Sequence, residues 1–228
     1  MNSSVILIIF IVLGSFCSGQ QHFEIKDGSL LYNAEITVQD CDADKCSGNG
    51  TIVLKDKRTF RTLQEFTSDD LYFYLGKDQQ PSVNVIQLYD EQSPLIFKDF
   101  NFDGFEDIAI RNGNESSYGG PSYDVYVYNT TRKQFVISEE LTDLARENLG
   151  MFQTDLKRKR LITFSKSGCC WHLTTEYRVL PGKGLDKVFE LEEDAMNGES
   201  VKVTRREKIK NKWIIKTKRY PIKEYYKE

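Results

Sequence analysis

The feature that most constrains this chain is the acidic loop at residues 99–107, which reads Asp-Phe-Asn-Phe-Asp-Gly-Phe-Glu-Asp. Oxygen-bearing side chains stand at its first, third, fifth and ninth positions, and Gly104 allows a sharp turn at the sixth. Calcium takes about six to eight oxygen ligands from flexible, sharply turned loops of this kind. We therefore predict a calcium site. Its predicted ligands are Asp99, Asn101, Asp103, the backbone carbonyl of Phe105, and Asp107.

This loop is not an EF-hand. Its twelfth position is Ile110, where an EF-hand places a bidentate Glu, and the residues that follow it are typical of a strand instead of a helix. A metal-free turn is the alternative, because Asp, Asn and Gly are common in turns. Crowded aspartates repel each other without a cation, which favours calcium in a structural role.

The rest of the chain is dominated by short runs of strand-forming residues separated by turns. This pattern predicts a mainly β protein with antiparallel sheets, arranged as a sandwich or as an open, barrel-like or propeller-like assembly. The predicted strands span residues 29–38, 51–54, 71–75, 83–89, 108–111, 123–128, 161–164, 172–179 and 187–191.

One helix and one hairpin complete the predicted elements. The segment 139–149 has apolar residues at helical spacing, and Gly150 is placed to end the helix. The basic stretch 201–220 reads as a hairpin of strands 201–209 and 213–220, which Pro221 should terminate. Its lysines and arginines indicate either a solvated strand face or an anion-binding patch.

The amino terminus reads as a secretory signal peptide over residues 1–19, which leaves a single β-rich calcium-binding domain over 20–228. The apolar run 5–16 is shorter than the roughly 20 residues that a transmembrane helix needs. We expect an exported protein that is periplasmic or associated with the cell envelope. Lipid attachment at Cys17 is the alternative to cleavage after Gly19.

Composition and cysteine content restrict the partners. A formal net charge of -3 and a pI near 5.6 give no reason to expect nucleic acid. If Cys17 is removed with the signal peptide, four of the five cysteines remain. An even number in an exported chain favours disulfides over zinc, since these cysteines lack CxxC spacing. A local Cys41–Cys46 bridge is the simplest pairing, and it leaves Cys169 and Cys170 as a vicinal disulfide or as two thiols.

No catalytic residues are predicted, and we do not expect an enzyme. Cys170 and His172 invite comparison with a cysteine nucleophile, but adjacent cysteines in an oxidising compartment favour the disulfide over the thiolate that catalysis needs.

The Ser- and Gly-rich loop 112–122 lies between the acidic loop and a tyrosine-rich strand, where exposed loops often carry function. Tyr118 is the predicted aromatic anchor for a protein partner. The alternative is an ordinary surface turn beside a core tyrosine. The predicted partner-binding residues are Ser117, Tyr118, Gly119, Ser122 and Tyr123.

Three segments, 99–110, 118–126 and 166–170, resemble a family of exported calcium-binding β-proteins. That family includes periplasmic immunity proteins against lysozyme-like effectors, and it is similar in fold to inhibitors of invertebrate-type lysozyme. The resemblance implies an integrin-like calcium loop and an inhibitory loop that enters the active-site cleft of a peptidoglycan hydrolase. The Ser-Gly-x-x-Tyr pattern of lysozyme inhibitors is absent, and Ser-Tyr-Gly-Gly at 117–120 only approximates it.

Two functional hypotheses follow. The first is an inhibitor of a lysozyme-like hydrolase that acts by occlusion, with the loop 112–123 as its contact surface. The second is a calcium-stabilised envelope or surface binding module for glycan or protein, without inhibitory activity, that uses the basic hairpin from Lys202 to Lys218.

Overall fold

The computed structural model describes residues 20–89 and 91–226. The predicted signal peptide and Cys17 lie outside these residues. The fold is mainly β, as predicted: three antiparallel sheets in which neighbouring strands follow one another in chain order, apart from one short strand of the first sheet. No helix among the described residues is long and apolar enough to cross a membrane.

The first sheet is a meander of four strands with a short fifth strand, β5, that pairs with β3. Its strands are β1 (Gln21–Ile25), β2 (Tyr32–Asp42), β3 (Lys45–Asp56), β4 (Thr62–Ser68) and β5 (Phe73–Tyr74). The second sheet consists of β6 (Leu95–Lys98), β7 (Asp107–Arg111), β8 (Tyr123–Asn129) and β9 (Gln134–Ile137).

The third sheet is also a meander. It contains β10 (Gln153–Asp155), β11 (Arg160–Ser167), β12 (Trp171–Leu180), β13 (Gly184–Asp194), β14 (Ser200–Ile209) and β15 (Lys212–Pro221). The α-helices are α1 (Glu139–Arg146) and the single turn α2 (Ile222–Tyr225), and Ser117–Gly119 forms one 3₁₀ turn.

The second sheet is covered on both faces. Ile108 and Ile110 of β7 join a core with the first sheet, whereas Ala109 joins a second core with α1 and the start of the third sheet. Successive side chains of a strand point to opposite faces, so a strand buried on both sides needs a continuous apolar run. All of β7 is buried, and this places the end of the acidic loop in the middle of the molecule.

Several boundaries differ from the sequence prediction. No strand forms over 83–89; only Val83 makes an isolated bridge, to Leu95, and positive φ values of 62° at Asn84 and 64° at Tyr89 interrupt extended backbone. The helix ends at Arg146 instead of residue 149, because the Leu149 N–H bonds to the Phe164 carbonyl at 2.9 Å.

The basic hairpin forms as predicted. Its turn consists of Lys210 and Asn211, whose φ values of 48° and 61° are those of a tight hairpin turn. Strand β15 ends at Pro221, which is the N-cap residue of the short helix α2.

Candidate functional site

The acidic loop joins β6 to β7 and is folded around its own side chains. The Asp99 carboxylate accepts hydrogen bonds from the backbone N–H groups of Asp103, at 3.1 Å, and Gly104, at 2.9 Å. Asn101 Oδ1 accepts from the Asp103 N–H and Asp103 Oδ1 from the Phe105 N–H, both at 2.9 Å. Gly104 has φ +93°, a conformation that glycine adopts at little cost. Three predicted ligands are therefore gathered on one tight turn.

Asp107 lies behind that turn and is fully buried. Its Oδ2 accepts from the Phe100 N–H at 2.8 Å, and its Oδ1 from the Tyr128 N–H at 2.9 Å. Burial raises the pKa of Asp107 to about 7, the charge of Asp103 adds to the rise, and the backbone donors oppose it. A carboxylate in this position is costly to ionise unless a cation stands close by.

Glu106 is not a predicted ligand, and it connects the loop to the first sheet. The hydroxyl of Ser29 donates to Glu106 Oε2, while Ser29 Oγ accepts from the N–H groups of Leu31 and Tyr32. Burial raises the pKa of Glu106, opposed by the Ser29 hydrogen bond and the charge of Lys57. The acidic loop is therefore attached to two sheets.

The donor set fits calcium by chemistry, since the predicted ligands offer only oxygen atoms once the amide of Asn101 presents Oδ1. Asn101 Nδ2 donates to Asp103 Oδ2 at 2.9 Å, and an amide can exchange its O and N positions by a flip. Across residues 20–89 and 91–226, however, no three acidic, histidine or cysteine side chains converge into a metal-holding cluster.

Tyr118 projects from the second predicted site, the loop 112–122. Its side chain is 64% exposed, and its backbone is held at φ 62°, in the left-handed region. The hydroxyl accepts a hydrogen bond from the Gly168 N–H at 2.7 Å. The Lys166 ammonium lies 4.8 Å from the ring centroid. The exposed ring is thus tied to the β11–β12 turn.

The middle of this loop is anchored to the two residues that follow α1. The Ser117 N–H donates to the Asn148 carbonyl at 3.0 Å, and the Ser117 hydroxyl donates to the Glu147 carbonyl at 3.1 Å. Gly119 has φ +67°, and a Cβ there would meet nothing within 4 Å. Hydrogen bonds from Ser117 therefore hold the turn against the protein, whereas the space next to Gly119 is open.

Ser122 and Tyr123 are buried, which differs from their predicted role as partner contacts. The Tyr123 hydroxyl donates to the Ser93 carbonyl at 2.8 Å, and Ser122 Oγ accepts from the Glu115 N–H at 3.1 Å. Alternation along β8 turns Tyr123 into the second core. Both residues support the loop from within the protein.

A cleft of about 400 Å³ lies beside Tyr118, and its walls include Gln92, Pro121 and Leu149. Lys166 stands in this cleft between two exposed tyrosines, with its ammonium 4.7 Å from the ring centroid of Tyr89 and 4.8 Å from that of Tyr118. Both distances are within the range of cation–π attraction. The structure therefore presents two aromatic rings and one cation together.

The comparisons with known proteins identify a similar fold but no family. No family model matches the chain, and no relative is found among the curated proteins. A solved structure described as a Xanthomonas type IV secretion system related protein is similar, with a TM-score of 0.65 and 21% sequence identity. The similarity covers 89% of this chain and 95% of that one. At this identity the two proteins share a fold.

Sequence reasoning did not assign Tyr89 or Lys166 to the site. Tyr89 lies in the segment 83–89, which is predicted to be a strand, and Lys166 enters the prediction only through the 166–170 motif. Tertiary structure brings them together, since Tyr89 precedes β6 whereas Lys166 lies near the end of β11. The motif around Lys166 was the one available signal.

Disulfides brace the ends of two hairpins. Cys41 is joined to Cys46 where β2 turns into β3, and Cys169 to Cys170 in the turn between β11 and β12. The Cys170 carbonyl accepts from the Ala195 N–H at 2.8 Å. The vicinal pair directly follows Gly168, which binds the Tyr118 hydroxyl.

Proposed function

We propose that this chain is an exported calcium-binding protein that inhibits a lysozyme-like peptidoglycan hydrolase by placing the loop 112–123 in the active-site cleft of that enzyme. The observation that carries the proposal is the state of Tyr118. Its ring is exposed, yet its hydroxyl accepts a hydrogen bond from Gly168 and its ring contacts the Lys166 ammonium.

Such an anchor suits binding energetically. Tyrosine is enriched at the energetic centres of interfaces, and an aromatic side chain that is already ordered loses little conformational entropy on association. Ser117 and Gly168 hold Tyr118 before any partner arrives. The exposed face beyond Gly119 leaves room for the walls of a cleft.

The positive charge of Lys166, which lies beside Tyr118, is suited to binding the acidic cleft of a glycoside hydrolase. These enzymes place two carboxyl groups in the active-site cleft, on either side of the bond that is cleaved. The ammonium of Lys166 lies beside the Tyr118 ring and is complementary to such acidic groups. Inhibition then occurs by occlusion, and we assign no catalytic residue to this chain.

The acidic loop supports the same surface. Asp99, Asn101, Asp103, the Phe105 carbonyl and Asp107 would hold a calcium ion, which would supply positive charge to this acidic turn. The loop runs into β7, whose last residue, Arg111, immediately precedes the partner-binding loop. Asp107 also accepts from the Tyr128 N–H of β8, the strand that leaves that loop. A stiffer acidic loop would therefore brace both ends of the Tyr118 loop.

Export to the periplasm or cell envelope is part of the proposal. The predicted signal peptide and the two disulfides support it, because disulfides persist in oxidising compartments. The solved structure of similar fold is described as secretion-system related, which is a setting compatible with exported hydrolases.

The test measures inhibition and binding directly. The chain without residues 1–19 is titrated into c-type, g-type and invertebrate-type lysozymes, and peptidoglycan hydrolysis and binding heat are recorded for each. We expect saturable inhibition of at least one class, and Tyr118→Ala should weaken it by about 30-fold or more, as for an interface hot spot.

Leu156→Ala is the matched control, since it removes an exposed apolar side chain far from Tyr118 in sequence and outside the cleft. It should leave inhibition within about twofold, as expected of a surface substitution. Failure of the parent protein to bind any class would overturn the inhibitor proposal. Equal inhibition by Tyr118→Ala and the parent would overturn the assigned anchor.

A further inference from the structure

The last strand of the third sheet, β15, has an open edge. It pairs with β14 from Ser200↔Pro221 to Ile209↔Lys212, and no other strand among the described residues pairs with it. Nearly all of its residues are exposed on both faces of the sheet. A long edge strand presents a row of unpaired N–H and C=O groups to which another strand can bind.

The side chains of β15 divide it into two halves. Next to the hairpin turn lie Trp213, Ile214 and Ile215, which are 41%, 43% and 61% exposed. The half towards Pro221 carries Lys216, Lys218 and Arg219. A partner strand would therefore meet apolar surface at one end and positive charge at the other.

The charges of β15 are uncompensated within the described part of the chain. On β14, Arg206 pairs with Glu190 and Glu192, and Lys208 pairs with Asp186. None of the ion pairs in residues 20–89 and 91–226 involves the four cations of β15, which are Lys212, Lys216, Lys218 and Arg219. The free charge thus lies on the strand with the free edge.

This charge disfavours pairing with a second copy of the chain. Edge-to-edge pairing of two β15 strands would bring the lysine-rich edges together, and like charges across a strand pair are destabilising. Lysines on an edge strand are a common device against self-association. The same charges favour an acidic partner.

The sheet surface next to the edge offers a matching groove. A cavity of about 580 Å³ crosses β13, β14 and β15, with Leu191, Val203 and Ile214 beside Lys216 and Lys218. A strand added to β15 would place alternate side chains along this groove.

We propose that β15 receives an extended segment of another protein, which adds to the third sheet as a further strand through main-chain hydrogen bonds. The segment carries Asp or Glu opposite Lys216 and Lys218, and apolar β-forming residues opposite Ile214, all on the face of the sheet that contains the groove. In antiparallel pairing, the acidic residues come first along the segment. This site is independent of the Tyr118 loop.

The experiment uses the chain without residues 1–19 and capped nine-residue peptides. One peptide has Glu alternating with Thr in its first half and Val alternating with Thr in its second; a second peptide reverses the halves, and a third replaces Glu by Lys. Affinity is measured by fluorescence anisotropy, and protection of the β15 amides by hydrogen exchange.

We expect one Glu peptide to bind and to slow hydrogen exchange in β15, with the Lys peptide at least about tenfold weaker because of like-charge repulsion. N-methylation of the bound peptide at alternate residues then tests the hydrogen bonds. Blocking one alternate set should abolish binding, and blocking the other should leave it nearly unchanged, because only one set of N–H groups faces β15.

The variant Lys216→Glu/Lys218→Glu should weaken the Glu peptide by about tenfold or more at low salt. Its control is Lys77→Glu/Arg132→Glu, which makes the same change in charge at exposed turns of the first two sheets and should bind as the parent does. Circular dichroism of each variant checks that it is folded.

Three results would overturn the proposal. They are concentration-dependent dimerisation through β15 without peptide, tight binding of an acidic polysaccharide in place of the peptide, and equal tolerance of both N-methylated sets. The first would make β15 a contact between copies, and the other two would make it a charged face without strand addition.

Discussion

The hydroxyl of Tyr118 accepts a hydrogen bond from the backbone N–H of Gly168, 2.7 Å away, although the two residues are far apart in sequence. The contact joins the loop before β8 to the β11–β12 turn that contains the vicinal disulfide. Two motifs that looked separate in the sequence therefore form one surface, with Lys166 between them. A substitution in the β11–β12 turn should therefore alter the contacts that hold Tyr118.

Tyr118→Phe separates the role of the hydroxyl from that of the ring. The Gly168 N–H is exposed and can bond to water instead, so the free energy of unfolding should fall by only about 0.5–1 kcal/mol. The ring remains, so inhibition of the target hydrolase should weaken far less than in Tyr118→Ala. Urea unfolding and an inhibition assay measure the two effects.

Tyr89→Phe is the control, since it keeps the other ring that contacts Lys166 and leaves the Gly168 hydrogen bond intact. It should unfold as the parent does. A loss in Tyr118→Phe as large as that in Tyr118→Ala would show that the hydroxyl, and not the ring, carries binding.

Calcium should raise the melting temperature of the parent, and a chelator should reverse the shift, because a ligand that binds only the folded state stabilises it. At a concentration 100 times the dissociation constant this amounts to about 2.7 kcal/mol. Asp103→Asn keeps an oxygen that can accept from the Phe105 N–H but removes one charge. Its calcium shift should be lost or reduced.

In the presence of a chelator, Asp103→Asn should no longer be at a disadvantage relative to the parent. Asp103→Asn removes repulsion with Asp99 and Asp107, so it should unfold at the same temperature as the parent or higher. Glu65→Gln, an exposed change of equal charge on β4, should keep the full calcium shift. Absence of a calcium shift in the parent would contradict the predicted site.

The sequence predicted best the elements whose pattern is locally complete. Strand β7 was predictable from the continuous apolar run that follows the acidic loop. The β14–β15 hairpin was predictable from the β-branched residues on either side of a polar turn. The prediction failed at 83–89, which has the apolar content of a strand but contains residues with positive φ. Those φ values depend on tertiary contacts, such as the Asn84 amide donating to the Gly28 carbonyl at 2.6 Å.

The candidate site was predictable only in part for a related reason. Composition indicated an exposed Tyr118 and an acidic turn. It could not show which residues of the loop and of the following strand face solvent, and both Ser122 and Tyr123 proved to be buried. The sequence also could not show that Tyr89 contacts Lys166, since that contact depends on how the segment before β6 packs against β11.

The buried centre of the molecule should dominate stability. Ile110→Ala removes a side chain that is only 1% exposed in the doubly covered strand β7, and it should lower the free energy of unfolding by about 2–5 kcal/mol. Ile215→Ala, on the open edge of the third sheet, should change it by less than about 0.5 kcal/mol. Chemical denaturation compares the two; equal losses would place β15 in a core that the structure does not contain.

Asp186 gives a pH-dependent prediction. Its carboxylate bridges two strands next to its own: Arg178 Nη2 of β12 lies 2.7 Å from Oδ2, and Lys208 Nζ of β14 lies 2.5 Å from Oδ1. Hydrogen bonds from Lys208 and Arg178, with their charges, hold the pKa of Asp186 below its ordinary value of 3.8.

Because this pKa is lower in the folded protein than in the unfolded chain, ionised Asp186 stabilises the fold above the unfolded pKa, and that contribution is lost as the pH falls through the folded pKa. Asp186→Asn should therefore lower the free energy of unfolding at pH 7 by up to about 1 kcal/mol, the range of ion pairs near a surface. The difference from the parent should shrink as the pH falls below 3.8. Asp42→Asn, an exposed change at the end of β2, is the control and should leave the free energy of unfolding at pH 7 within about 0.5 kcal/mol of the parent. Urea unfolding at a series of pH values measures both variants; a constant difference between Asp186→Asn and the parent down to strongly acidic pH would mean that the carboxylate acts by packing instead of by charge.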